Sequence, residues 1–157
     1  EDPIKLVEIK AFDKQDSWAA YKLMPFTVEI PHIDVVFGSG LDTIEEAERP
    51  KLDEALKVIF EEMAKYGADF EFSLQIGGYT DTVGSPEDNK TLSEKRAKAI
   101  ARYFRDHGIK VPIYYKGFGE DSQAVTTADN TPEARNRRAT YNLGDLSPAG
   151  AGWKALK

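Results

Sequence analysis

The chain has 157 residues, of which 41% are apolar and 31% are charged, and this size and composition are typical of one domain with a single buried core. Its net charge of -6, with 21 basic residues interleaved among 27 acidic ones, argues against nucleic-acid binding, which needs a concentrated basic face. The absence of cysteine excludes disulfides, thiolate catalysis and cysteine-based zinc sites.

The first 31 residues differ in character from the rest, and we interpret them as an N-terminal extension or extra strands. They do not begin like a signal peptide, and no apolar run in the chain approaches the roughly 20 residues that cross a bilayer. Phe26, Val28 and Ile30 alternate with polar residues, which indicates an edge strand. Trp18 is expected to be a packing anchor rather than a ligand platform.

Two apolar patterns follow this segment. The mostly apolar run from Ile33 to Phe37, closed by glycine, is typical of a strand buried in the middle of a sheet. An apolar stripe at three- and four-residue spacing, from Leu52 to Met63, predicts a helix that stops at Gly67. The start of this helix is open, because Thr43 to Glu46 looks like a capping box while Pro50 favours a kink or a restart.

The centre of the chain predicts a strand, a turn and a second helix. Residues from Phe70 to Ile76 alternate between apolar and polar, as in a strand with one face more buried than the other, and two glycines end it. Ser85 then caps a helix from about Pro86 to His107. Asn89 and Arg96 fall within the apolar arc of that helix, so the buried guanidinium must find a partner.

The remaining residues predict two further strands, Ile113 to Gly119 and Arg138 to Leu143, separated by a loop at 120–130 and a helical turn that opens at Thr131. Residues 144–157 read as a loose tail or a linker. The alternation of strands and helices implies crossovers between parallel strands, with helices packed on the sheet, which is an α/β arrangement.

This arrangement brings one acid and one base to the same edge of the sheet. Asp81 follows its strand at the place where such sheets bind ligands, and Arg96 lies on the next helix. A ligand with an ammonium and a carboxylate on one carbon would fit both side chains. The alternative is a structural ion pair between Asp81 and Arg96, which the spacing alone favours. Catalysis is poorly supported, because no triad is suggested and His32 and His107 lack the spacing of a metal site.

Five motifs occur in order from residue 78 onward. They are Gly78-Tyr79-Thr80-Asp81 with Gly84, Asn89 with Leu92-Ser93 and Arg96-Ala97, Gly108-Ile109, Gly117-Phe118-Gly119-Glu120, and Asn136-Arg137-Arg138. Together they resemble the OmpA-like C-terminal domain, the peptidoglycan-binding module of Gram-negative outer-membrane proteins, lipoproteins and flagellar stator proteins. The resemblance runs from about Ile33 to Leu143.

The resemblance implies an α/β (α+β) two-layer sandwich with a βαβαββ core, in which two main helices cover one face of a mixed sheet of about four strands. It divides the chain into an extension at 1–31, a peptidoglycan-binding domain at 32–144 and a tail at 145–157. It also implies that Asp81 and Arg96 hold the amino and carboxyl groups of meso-diaminopimelate in the stem peptide, without a cofactor or metal. Further residues expected around this pocket are Thr80, Thr82, Asn89, Leu92 and Arg138.

Two departures from the family pattern stand out. Pro132-Glu133-Ala134 replaces the usual Gly-Arg-Ala, which exchanges a cation for an acid, and Pro50 falls within the first helix. The function expected from the resemblance is a non-catalytic periplasmic anchor that ties an outer-membrane or envelope protein to the cell wall. A second hypothesis, favoured by Glu133 and the unusual flanks, is a structural or protein-interaction domain of the same fold without wall binding. A third is an enzyme that uses Asp81 as base, on which no second catalytic group converges.

Overall fold

The computed structural model describes residues 7–23, 27–38, 40–66, 71–144, 148 and 150–157. The strands are β1 (Val7–Phe12), β2 (Trp18–Leu23), β3 (Val28–Glu29), β4 (Ser73–Tyr79), β5 (Ile113–Gly119), β6 (Ala139–Gly144) and β7 (Lys154–Ala155). The helices are α1 (Arg49–Tyr66) and α2 (Pro86–Asp106), and 3-10 turns lie at Glu46–Glu48 and Ala134–Asn136.

The main sheet is mixed and has five strands in the order β3-β6-β4-β5-β7. Strands β4 and β5 are parallel and are joined by α2, whereas the other pairs are antiparallel. Apolar side chains of both helices and of the central strands form one core, which includes Leu52, Ile59, Leu74, Ile100, Phe104 and Tyr141. The predicted α+β fold, with two main helices on a mixed sheet, is therefore confirmed.

Strand β4 lies at the centre of this sheet, between β5 and β6. Its apolar residues Leu74 and Ile76 are fully buried, but Ser73 and Gln75 on the other face are buried as well. The predicted strand is present, but the expectation that one of its faces is more buried than the other is wrong, because both faces of β4 are buried. The predicted glycine stop is displaced, because the strand continues through both glycines to Tyr79.

The first strand of the main sheet is not where the sequence places it. Residues 33–37 form no strand, and Ile33 and Val36 are 69% and 64% exposed, so the prediction of a buried central strand there is wrong. The edge strand is Val28–Glu29, which pairs with Leu143 and Asn142 of β6. Farther along the chain a side chain, rather than the backbone, bonds the start of β6. Asp34 Oδ1 accepts from the amide of Ala139 at 3.0 Å. Of the residues that suggested the edge strand, Phe26 lies outside the described residues.

The C-terminal segment also joins the sheet. Residues Tyr114 and Tyr115 of β5 pair with Ala155 and Lys154 of β7, so the loose tail expected there is wrong for these residues. The indole of Trp153 packs edge-on against Phe118, with ring centroids 5.9 Å apart. Both β3 and β7 lie outside the bounds 32–144 predicted for the domain.

Of the two starts that the sequence leaves open for the first helix, the structure has the one in which the helix restarts near Pro50. A separate 3-10 turn at Glu46–Glu48 precedes the helix, and Pro50 lies in the first turn of α1, where a missing backbone donor costs little. Glu45 precedes the 3-10 turn without a capping side-chain bond, so the predicted capping box is wrong. The predicted stop at Gly67 and the residue Phe70 lie outside the described residues.

Strands β1 and β2 form a separate two-stranded antiparallel sheet. Phe12 and Trp18 face each other across this hairpin and are 64% and 63% exposed. The prediction that Trp18 is a packing anchor is therefore wrong, since an indole this exposed contributes little to a core.

Candidate functional site

Two glycines let α2 lie unusually close to the sheet. A Cβ atom on Gly117 would lie 2.5 Å from the amide nitrogen of Glu94, and a Cβ on Gly78 would overlap the carbonyl oxygen of Ser93. The hydroxyl of Ser93 fills the remaining gap, because it accepts from the amide of Gly119 at 2.9 Å. The N-terminal half of α2 is thereby fixed against the carboxyl ends of β4 and β5.

The start of α2 is capped as predicted. Ser85 Oγ accepts from the amide of Asp88 at 3.1 Å and donates to the Asp88 carboxylate at 2.7 Å. This reciprocal arrangement fixes the loop that carries Asp81 relative to the helix.

Asp81 is buried, with 7% of its surface exposed, and it does not pair with Arg96. Its Oδ2 accepts from Arg137 Nη1 at 2.6 Å and from the amide of Glu133 at 3.3 Å. Its Oδ1 makes no hydrogen bond to any residue that the structure describes. The alternative of an Asp81–Arg96 ion pair is therefore wrong, and one carboxylate oxygen stays available.

Arg96 finds its partners in the backbone of the segment after β3. Its Nε donates to the carbonyl of Leu41 at 2.9 Å and its Nη2 to the carbonyl of Gly38 at 3.1 Å. The guanidinium also lies over the ring of Phe37, 5.0 Å from its centroid. Burial, and next the positive charge of Arg137, lower the pKa of Arg96. Two neutral carbonyls thus hold a buried cation without neutralising it.

Asn89 connects α2 to two loops. Its Nδ2 donates to the backbone carbonyl of Asp81 at 3.2 Å and to Glu120 Oε2 at 2.7 Å. The amide therefore positions the carboxylate-bearing loop, as a buried polar residue must if its donors are to be satisfied.

A groove of about 710 Å³ opens between these elements. Five of the seven predicted site residues line it, namely Asp81, Arg96, Thr80, Asn89 and Leu92. Other residues lining it include Val36, Phe37, Val83, Asp88, Lys95, Pro132 and Arg137. The acid and the base that the sequence singled out thus share one concave surface.

The other two predicted residues, Thr82 and Arg138, do not line the groove. Thr82 is buried, and its hydroxyl donates to the carbonyl of Ala128 at 2.8 Å and accepts from the amide of Thr131 at 3.0 Å. Arg138 lies over the ring of Tyr79, 4.0 Å from its centroid. Thr82 therefore fixes a loop, and Arg138 lines a smaller cavity that shares Arg96 and Arg137 with the groove.

Sequence reasoning missed Arg137, Val36 and Phe37. Arg137 precedes Arg138 in the Asn-Arg-Arg motif. The motif therefore indicated that an arginine lies near the groove, but it did not indicate which of the two arginines lines it. The sequence predicts Val36 and Phe37 as part of a buried strand, whereas in the structure they form an apolar wall of the groove.

Glu133, the acid that departs from the family pattern, does not line the groove. Glu133 accepts from the backbone amide and the guanidinium of Arg135, at 3.0 and 2.9 Å, and these bonds lower its pKa to about 2. Its charge is thus compensated within its own turn.

His32 anchors the segment that carries the apolar wall. Its Nδ1 lies 2.6 Å from the carbonyl of Ile30 and its Nε2 lies 3.0 Å from the carbonyl of Ala139, and its ring stacks on Tyr141. Burial lowers the pKa of His32, but the carboxylate of Asp34, 3.7 Å from Nε2, and the bonds to the two carbonyls outweigh it, so that the pKa is raised. Both ring nitrogens face acceptors, so the charged imidazolium satisfies this site best.

The described residues contain no group of three or more side chains placed to hold a metal ion. Neither α1 nor α2, the two α-helices of the described part of the chain, is long and apolar enough to cross a membrane.

The sequence matches the OmpA family over residues 36–139. It is 34% identical over 108 residues to outer membrane protein A of Serratia marcescens, an alignment that covers 68% of this chain and 28% of that protein. It is also 34% identical over 65 residues to the peptidoglycan-associated lipoprotein of Pasteurella multocida, covering 41% of this chain and 43% of the relative. The chain therefore spans less than half the length of these two relatives.

The fold is similar to that of a solved structure. The peptidoglycan-associated lipoprotein from Burkholderia pseudomallei superposes with a TM-score of 0.54 at 21% sequence identity, covering 71% of this chain and 89% of the other. At this identity the likeness concerns the fold alone.

Proposed function

The chain belongs to the OmpA family, and from that premise we propose that it binds peptidoglycan non-covalently, without catalysis. In this role it anchors an outer-membrane or other envelope assembly to the cell wall, with the domain facing the periplasm. The names of two relatives, an outer membrane protein and a peptidoglycan-associated lipoprotein, support an envelope location.

The proposed recognition element is the diaminopimelate of the stem peptide. The observation that carries this proposal is that Asp81 and Arg96 line one groove without pairing with each other. Asp81 Oδ1 would accept from the ligand ammonium, while Arg96 Nη1, which bonds no described residue, would donate to the carboxylate. Buried carboxylate and guanidinium groups gain most from such charged partners because water competes poorly there.

The remaining predicted residues take supporting roles in this proposal. Thr80 lines the groove, but its Oγ1 is fully buried, so Thr80 would shape the groove rather than bond the ligand. Leu92 would contact the aliphatic part of the ligand. Asn89, Thr82 and Arg138 would act indirectly, by holding the loops and strand ends that form the groove.

Co-sedimentation with purified sacculi tests this function. Asp81→Asn should abolish most of the sedimentation, because it removes the charge that faces the ammonium while keeping the shape. The matched control is Asp106→Asn at the exposed end of α2, which should sediment like wild type. Equal sedimentation of all three proteins would refute wall binding through Asp81.

Ligand choice tests the recognition element separately. A stem peptide that contains diaminopimelate should raise the melting temperature, whereas the same peptide with lysine in its place should not, because only the diaminopimelate side chain ends in an ammonium and a carboxylate on one carbon. Arg96→Gln should lose this discrimination, and Arg102→Gln, an exposed arginine on the same helix, should retain it. Equal shifts by the two ligands in wild type would mean that Arg96 does not bind a carboxylate.

A second candidate is a structural or protein-interaction domain without wall binding. The observation that favours it is the 2.6 Å ion pair between Asp81 and Arg137, which already supplies the acid with a cation. If Asp81 stays paired with Arg137 and never binds a ligand, neither wild type nor Arg137→Gln should sediment with sacculi. Arg137→Gln should then only lower the free energy of unfolding. If the ligand uses the acid, wild type sediments and the second candidate fails.

A further inference from the structure

The apolar wall of the groove is attached to the fold largely through ionisable side chains. The wall segment, residues 32–38 with 40 and 41, forms no strand, and it carries Val36 and Phe37 to the groove while Val35 packs into the core. Among the described residues, each hydrogen bond that joins this segment to the rest of the chain has an ionisable side chain as donor or acceptor. These side chains are His32, Asp34, Glu48, Lys51 and Arg96.

The wall segment also fixes the base of the groove. Arg96 Nε and Nη2 donate to the carbonyls of Leu41 and Gly38, and the guanidinium lies over the ring of Phe37. A displacement of the segment would therefore move the apolar wall and remove the acceptors of the buried base at the same time.

The imidazole of His32 faces an acceptor at each ring nitrogen, and its side chain is only 7% exposed. Nδ1 lies 2.6 Å from the carbonyl oxygen of Ile30, and Nε2 lies 3.0 Å from the carbonyl oxygen of Ala139. Both contacts are hydrogen bonds only when each nitrogen carries a proton, which is the charged form. In the neutral form one nitrogen turns a lone pair toward a carbonyl oxygen, and two buried acceptors without a shared proton are unfavourable.

Two titratable groups face this ring, the carboxylate of Asp34 and the phenol of Tyr141. Asp34 lies 3.7 Å from Nε2, and Tyr141 of β6 stacks on the ring. Burial raises the pKa of Asp34, but the imidazole, the amide of Ala139 and the charge of Arg138 outweigh it, so that this pKa is lowered. Burial raises the pKa of Tyr141. Asp34 thus stays charged and Tyr141 neutral where histidine titrates.

The side of the segment that faces α1 is held by a glutamate and a lysine. Glu48 Oε2 accepts from the amide of Val36 at 2.7 Å, and Lys51 Nζ donates to the carbonyl of Asp34 at 3.2 Å. The bond from Lys51, and next the bond from the Val36 amide, lower the pKa of Glu48. Of the side chains that hold the segment, histidine is the type that ordinarily changes charge near neutral pH.

We propose that His32 is a positioning residue for the groove, whose charged imidazole holds the wall segment against β6 and whose neutral imidazole loosens it. Loosening shifts Val36 and Phe37 and withdraws the carbonyls that hold Arg96. The groove is therefore complete at lower pH and is lost as the pH rises through the folded-state pKa of His32, which is raised. The effect on the shape of the groove stands by itself, whereas the effect on ligand binding rests on the proposed function.

An NMR titration of the wild-type protein between about pH 5 and pH 9 tests this coupling without any variant. The methyl signals of Val36 should move with the same midpoint as the ring signals of His32. Val83, which lines the groove from the loop after β4, is the matched control and should not follow that midpoint. The proposal is overturned if His32 titrates while Val36 does not move, if the two valines move equally, or if the ring does not titrate.

Replacement of each histidine assigns the ring signals and separates His32 from a general effect of pH. His32→Gln should remove the transition of the Val36 methyl signals. His107→Gln, which replaces the other of the two histidines at the end of α2, should keep it. A transition that persists in folded His32→Gln would overturn the role of His32.

Co-sedimentation with sacculi at the same pH values tests the consequence for ligand binding. The sedimented fraction of wild type and of His107→Gln should fall as the pH rises through the His32 midpoint, while His32→Gln should give a flat profile. Absence of sedimentation at every pH would refute the proposed function and leave the Val36 titration to decide on His32. A flat wild-type profile beside a moving Val36 would overturn the link between the wall and the ligand.

Discussion

Replacing Gly117 by alanine should destabilise the domain by about 1 to 3 kcal/mol, the usual cost of overpacking a close interface. The added Cβ would lie 2.5 Å from the amide nitrogen of Glu94 and 2.6 Å from the carbonyl oxygen of Lys90. Ordinary contact begins at 3.4 Å, so the deficit against 2.5 Å is about 0.9 Å. Both neighbours are helix backbone, which cannot rotate away, so α2 must move off the sheet.

Urea unfolding with linear extrapolation measures this loss, and Gly38→Ala is the matched control. There the new Cβ meets Leu41 Cδ1 at 2.9 Å, the end of a flexible side chain that can change rotamer, so we expect a loss below about 1 kcal/mol. Any stabilisation of the native state through a stiffer unfolded chain applies to both variants and cancels in the comparison. An equal loss in the two would refute the argument that α2 is held by direct backbone contact.

Three further predictions concern single side chains. Ser85→Ala should cost about 1 kcal/mol in urea unfolding, because the amide of Asp88 loses its acceptor, and an unchanged midpoint would contradict this cap. Tyr141→Phe should leave stability unchanged or raise it by up to about 1 kcal/mol, because the buried hydroxyl bonds no described residue, and a clear loss would reveal a partner such as water. The folded-state pKa of His32 is raised above its ordinary 6.5, so its stabilising contribution is complete below pH 6.5 and is lost as the pH rises through the folded-state value. Wild type should therefore lose stability over that range while His32→Gln should not, and parallel pH profiles of unfolding would contradict the charged imidazolium.

Much of the fold follows from the local pattern of the chain. The apolar stripe of α1, the Ser85 cap and the bounds of α2 were predictable, because helix periodicity and capping depend on neighbouring residues. The grouping of Asp81 with Arg96 was predictable too, since topology brings a strand end and the following helix to one edge.

The errors share one cause, which is that tertiary contacts override local apolar patterns. Residues 33–37 look like a buried strand, yet their segment is held by the His32 ring, the Asp34 carboxylate and the Arg96 guanidinium. Such side-chain bonds to distant backbone leave no periodic signal. The same holds for β7, whose pairing with β5 depends on a neighbour about 40 residues away in sequence.

The sequence by itself determined the two helices, the central strands and the identity of the acid and the base, because each depends on residue type at short spacing. Only the tertiary structure decided that Arg137 pairs with Asp81 and that backbone carbonyls of the segment after β3 hold Arg96. These outcomes are set by which side chains compete for the same charged atoms in three dimensions. The chain order of the residues does not encode that competition.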